Sequence, residues 1–291
     1  MTEQEREQKV SLKDAVLRGT EMKNISLRGA GLENIDLREA NMDDSDFRDA
    51  SFREASLDDS SMERIDASGA DFEKASLCRV EAIKANFSKA SFREADMRYS
   101  SFPYTDFTQS DLSEARMRKA NLYDATLDEA NLKNADFSKT SMKFAKLRGA
   151  DLSGADFSEA ELVSAVMDNA NLRATSLAGS NALGTRLVNS DLRDADLRGV
   201  TLRLSDIRGA KINTWYMDEG TVDVVTDYGQ KAQFAYFLLR QLQSIYEKLS
   251  DEQREKLIAA RDALTALAND WEGVVSGEFP EIKKRPDWPW K

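Results

Sequence analysis

Apolar residues recur along this chain at one fixed interval. From Leu12 through Leu17, Met22, Leu27 and Leu32 to Met217, every fifth residue is apolar, forty-two positions in succession. Only Ala67, Ala82 and Ala182 among them are small. Two residues before each runs a second series of small or β-branched side chains, including Ala15, Ala30, Ala40, Ala50, Ala55, Ala70 and Ala75. Asp, Asn, Ser or Thr mostly fills the place between. The unit is A-(D/N/S)-(L/F/M)-x-x, repeated without an insertion.

A period of five fits neither a helix at 3.6 residues per turn nor a strand at 2.0. A regular helix would scatter the series around its circumference, because five residues advance it by about 500°. Each unit must instead turn its large residue inward and then change direction. A longer period sets how many such turns complete a circuit. Phe52, Phe72 and Phe92 lie 20 residues apart, as do Met22, Met42 and Met62. Phe87 with Phe107, Met97 with Met117, and Phe137 with Phe157 keep the same interval. Like side chains every 20 residues predict four units per coil, stacked in register.

Segments such as Ala130-Asn131-Leu132-Lys133-Asn134 and Ala150-Asp151-Leu152-Ser153-Gly154 resemble the consensus of the pentapeptide-repeat family. The resemblance spans roughly residues 10–217. It implies a β-solenoid, specifically a right-handed quadrilateral parallel β-helix of about ten coils spaced about 4.8 Å apart. In such a tube the large residue fills the axis, where each buried Leu or Phe contributes about 1.5–3 kcal/mol before conformational entropy is set against it. The preceding Ala is small because it also points inward. Asp, Asn and Ser suit the corners, where their side chains can bond to nearby backbone.

An open β-stack invites pairing at its ends, so caps are expected. Residues 1–10 read as a short helical cap or a frayed tail, residues 11–217 as the repeat, and residues 218–228 as a connector. Phe234, Leu238, Leu242, Ile245 and Leu249 then recur at helical spacing. Ser250 followed by Gln253 reads as a capping box for a second helix that carries Leu257, Leu264 and Trp271. Residues 229–271 are thus expected to form an α-helical hairpin, with residues 272–291 as a tail. Neither helix can bury its apolar stripe alone. It must cap the last coil or pair with a second chain, and the resemblance favours a homodimer.

Composition narrows the function. The chain of 291 residues has no His and one Cys, Cys78, which is expected to be an exposed thiol. No Ser-His-Asp or Cys-His arrangement is therefore possible, and no Gly-rich phosphate loop occurs. No catalytic, cofactor or metal site is expected, and Asp43-Asp44 and Asp58-Asp59 read as solvated corners. A net charge of −11 argues against direct binding of nucleic acid. No membrane span or signal peptide is expected, and the chain is read as a cytoplasmic protein.

A rod without chemistry acts through its sides. Pro103, Tyr104, Tyr123 and Phe144 fall at outward positions on one side and form a candidate patch for a protein partner. Asp43, Asp44, Asp46, Asp49, Glu54, Asp58 and Asp59 form a candidate acidic surface, whereas Arg193, Arg198, Arg203 and Arg208 read as a basic belt. Two functions follow. The first is a non-enzymatic interaction scaffold. The second, implied by the resemblance, is a DNA mimic that modulates a type II topoisomerase such as DNA gyrase, as quinolone-resistance and self-immunity proteins do. Against it, residues 11–220 carry a net charge of only −8, a weak imitation of duplex charge density.

Overall fold

The computed structural model describes residues 10–212, all of them within the first of two compact units of the chain, Met1–Val225. The expected hairpin, with Phe234, Leu238, Leu242, Ile245, Leu249, Leu257, Leu264 and Trp271, lies outside the described residues. So do the connector, the tail and residues 1–9.

Parallel bridges join each unit to the one 20 residues ahead, from Ser11↔Gly31 in unbroken order to Asp191↔Lys211. Four five-residue units make one coil, as the sequence predicts. Each coil therefore has four sides, named here by their inward residues. The first side holds Leu12, Leu32 and Phe52; the second, Leu17, Leu37 and Leu57; the third, Met22, Met42 and Met62; the fourth, Leu27, Phe47 and Ala67. Among the described residues no helix is long and apolar enough to cross a membrane.

The backbone bonds explain why five residues suffice. In the unit Ala50-Ser51-Phe52-Arg53-Glu54, Ser51 N donates to Ala30 O one coil back at 2.9 Å. Phe52 N donates to Asp71 O one coil ahead at 2.6 Å, and Glu54 N to Glu73 O at 3.0 Å. Ala55 N then closes the turn on Phe52 O at 3.0 Å. One amide per unit is left, that of the first outward residue, and a side chain commonly satisfies it. Asp46 Oδ1 accepts from Arg48 N at 3.1 Å, and Asp111 Oδ1 from Ser113 N at 3.0 Å. This is why a short polar acceptor precedes the large residue.

Every second outward residue, from Asp14 to Gly209, has a positive φ near 60°. A positive φ confined to the third residue of a four-residue turn marks a type II turn. Gly would suit that place best, yet most of these positions hold side chains, among them Tyr99, Tyr104, Phe144 and Leu204.

Inside, the stack repeats one β-spacing. The rings of Phe52 and Phe72 lie 4.8 Å apart and 3° from parallel, those of Phe72 and Phe92 4.7 Å and 1°, and those of Phe137 and Phe157 4.9 Å and 5°. Rings from adjoining sides meet edge-on instead, as Phe87 and Phe92 do at 5.1 Å and 87°. The inward residues from Leu32 onward are fully buried, whereas Leu12, Leu17 and Leu27 of the first coil are half-buried. At some corners a hydroxyl takes over the turn: Ser45 Oγ donates to Met22 O at 2.7 Å and accepts from Ile25 N at 3.1 Å.

Candidate functional site

The third side gathers the four residues of the expected contact patch. Tyr104 and Tyr123 meet edge-to-face with centroids 5.6 Å apart, and Tyr123 meets Phe144 the same way at 5.5 Å. The backbone sets this ladder, because Tyr104 N donates to Tyr123 O at 2.9 Å between successive coils. Pro103 occupies the first outward position, where a fixed φ suits a type II turn and no amide needs an acceptor. Tyr104 and Phe144 are 50% and 45% exposed, and both hold the left-handed conformation that bulky residues avoid. Beside them, Tyr99 is exposed and receives the Lys119 ammonium at 5.5 Å from its ring centre.

The same side carries more apolar residues than the aromatic ones. Ile83, Val163 and Leu183 occupy its first outward position, half-buried, and Leu204 its second, 61% exposed. They were legible at 20-residue spacing, but aliphatic side chains stand out less than rings in a sequence. Two lysines near them are paired: Lys146 Nζ lies 3.1 Å from Asp124 and Lys143 Nζ 3.6 Å from Glu161.

The candidate acidic surface is arranged otherwise. Asp43 is buried, which corrects its reading as a solvated corner. Its Oδ1 accepts from Ser61 Oγ at 2.6 Å and Glu63 N at 3.0 Å, because it serves the spare amide of the next coil. Asp58 does the same for Ser76 Oγ at 2.6 Å and Cys78 N at 2.9 Å. Asp44 and Asp59 grip Arg64 and Arg79 of the following coil with both oxygens, and Asp49 takes Arg28 at 3.2 Å. Asp46 forms a two-pronged pair with Arg48, whose guanidinium holds its carboxyl down at about 2. Asp36 is held at about 2 by Arg38 in the same way. Glu54 is exposed.

Two further expectations need correction. Cys78 is buried, at 8% exposure, between Asp58 and the Asp96–Arg98 pair, and burial pushes its thiol up. The basic belt is largely a belt of ion pairs: Arg193, Arg198 and Arg208 each fork onto the Asp two residues earlier, Asp191, Asp196 and Asp206. The signal was the recurring Asp-x-Arg, which places both side chains outward on the same flank. Among the described residues no group of three His, Cys, Asp or Glu side chains could hold a metal ion.

The chain is similar to several solved structures. HetL, a pentapeptide repeat protein involved in heterocyst differentiation regulation from the cyanobacterium Nostoc sp. strain PCC 7120, matches with 27% identity and a TM-score of 0.66. That match covers 71% of this chain and 90% of HetL. A trypsin-treated variant of QnrB1, a plasmid-mediated fluoroquinolone resistance protein, matches with 20% identity and a TM-score of 0.40, covering 70% of this chain and 92% of that one. Among curated proteins none matches significantly in sequence. Eight copies of the pentapeptide-repeat pattern match residues 8–44, 45–81, 60–98, 80–114, 105–143, 115–154, 135–173 and 170–209. With the coil of four five-residue turns and this run of matches, the chain belongs to the pentapeptide-repeat family.

Proposed function

We propose that this protein is a non-enzymatic interaction scaffold that holds a protein partner on the third side of its repeat. The observation that carries this reading is the edge-to-face ladder Tyr104–Tyr123–Phe144, whose first and last rings are exposed. Two of its three members keep a backbone conformation that costs about 1–2 kcal/mol for a residue with a side chain, although the position tolerates Gly elsewhere in the repeat. The same conformation recurs in every unit, so it is the rings placed on it, and not the turn, that set this side apart. Aromatic rings are also the commonest anchors of protein interfaces. In this reading residues 11–217 are the binding rod, and residues 229–271 serve dimerisation.

The pairing of the acidic coils favours this scaffold over a DNA mimic. A mimic needs carboxylates free to attract a basic groove, and the carboxylates of Asp43, Asp44, Asp46, Asp49, Asp58 and Asp59 already have donors within the coil stack. The test is capture of a partner from lysate of the source organism by the full chain and by a Tyr104→Ser/Tyr123→Ser variant. The variant is expected to melt like the parent and to lose the partner. Equal capture by both would refute the ladder as the contact. Inhibition of gyrase supercoiling at micromolar protein, unchanged in the variant, would replace the scaffold with the mimic.

A further inference from the structure

We infer that the third side is a seat for one amphipathic α-helix of about twenty residues, supplied by a partner protein and laid along the coil axis. The inference deepens the scaffold reading and rests on it. Its basis is an apolar stripe longer than the aromatic ladder: Ile83, Pro103, Tyr123, Val163 and Leu183, one per coil except where Lys143 intervenes, with Leu204 in the neighbouring slot beside Arg203. The backbone holds these residues in file, for Lys84 N donates to Pro103 O, Tyr104 N to Tyr123 O, Asp124 N to Lys143 O, Phe144 N to Val163 O and Ser164 N to Leu183 O.

Three observations choose the occupant. The first is hydrogen bonding. The main-chain groups of this side already bond to the coils before and after, so the flank presents no strand edge. An extended peptide laid there would leave its own amides and carbonyls unpaired against an apolar surface. A helix satisfies its backbone internally and offers side chains alone, which is what this side can receive. The second is length. Six coil steps separate Ile83 from the coil of Leu204, which is about 29 Å at one β-spacing per coil, the length of a helix of about 19 residues. Two coils rise about 9.6 Å and seven helical residues about 10.5 Å, so apolar residues seven apart on the helix keep rough step with alternate coils.

The third is size. A strip about 29 Å long and one side wide offers far less than the roughly 800 Å² per partner of a standard interface, so it suits a single short element held weakly rather than a broad globular face. The flanking charges are consistent with an apolar occupant: Lys143 and Lys146 are engaged by Glu161 and Asp124, and the stem of Lys143 can lie along the strip.

The experiment places a photo-crosslinking phenylalanine analogue at Val163 of the full chain, with a control at Ser158 on the second side, in lysate of the source organism. Captured segments are identified by mass spectrometry, and each is then synthesised as a peptide. The expected result is a segment captured at Val163 and not at Ser158, with apolar residues at i, i+3, i+4 and i+7 over about twenty residues. Its peptide should gain helical circular dichroism on binding and lose at least tenfold in affinity to Leu183→Asp and Tyr123→Ser variants that melt like the parent. A captured segment that binds without gaining helix overturns the helix and leaves the scaffold standing. Capture of a second copy, or of residues 213–291 of the same chain, overturns the partner helix. No capture at Val163 overturns the helix and the third-side scaffold together.

Discussion

The coils around residues 36–79 and those around residues 99–148 share one interior and differ in their exterior. Both are filled by the same fully buried Leu, Met and Phe side chains, and both close every turn with a positive φ. Outside, the earlier coils tie themselves together. Asp44 to Arg64, Asp59 to Arg79 and Arg53 to Glu73 each bridge one coil to the next. The later coils keep such pairs, Asp128 to Arg148 among them, but also raise Tyr104 and Phe144 into solvent, with Tyr123 half-buried between them. The difference separates two tasks that most folds entangle. Two inward positions per unit specify the coil, and the outward pair is free to be spent on self-pairing or on contact with something else.

The largest test of that separation lies in the core. Phe72→Ala in the paired coils should cost about 3–5 kcal/mol and Leu122→Ala in the aromatic coils about 2–5 kcal/mol, read from urea melts. A core change that is silent in one region and severe in the other would break the equivalence of the interiors. A smaller effect of opposite sign is expected at the strained rings. Phe144→Gly and Tyr104→Gly should each be neutral or raise stability by up to about 1 kcal/mol, because Gly accepts the left-handed backbone. Both should weaken partner capture. Stabilisation with binding lost would sharpen the contrast; a clear loss of stability would show the rings to be structural.

The converse exchange should hurt. Gly154→Ala should lower stability by about 1 kcal/mol, since its φ is positive and a Cβ there would collide with the Asn134 side chain. The smallest effect concerns acid. Asp36 and Asp46 titrate near 2 in the folded chain, below the ordinary carboxylate value. Each therefore adds stability above about pH 4 that is lost as pH falls toward 2. Their exposure keeps the gain small. An Asp36→Asn/Asp46→Asn variant should melt with a shallower acid dependence than the parent between pH 4 and 2.

Much of this was legible in the sequence because the repeat makes position equivalent to place. Phe52, Phe72 and Phe92 could be stacked by counting, and so could Tyr104, Tyr123 and Phe144. What counting could not supply was the partner of each outward group. Asp43 and Asp58 read as wet corners until their oxygens were seen on the amides of Glu63 and Cys78 one coil ahead. Cys78 read as exposed because its slot is outward, yet its neighbours roof it over. The Arg belt read as positive because Asp191, Asp196 and Asp206 were counted in a different slot of the repeat, although the Asp-x-Arg spacing already set each pair on one flank.

The turn residue at every fifth position also bears on how such a surface can change over time. A mutation from Gly to a bulky residue at one of these corners is strained but local, since the side chain points away from every inward neighbour. Each corner is thus a separate trial in which a new ring can be displayed at a modest cost to one coil, while the coils above and below go on holding the tube together.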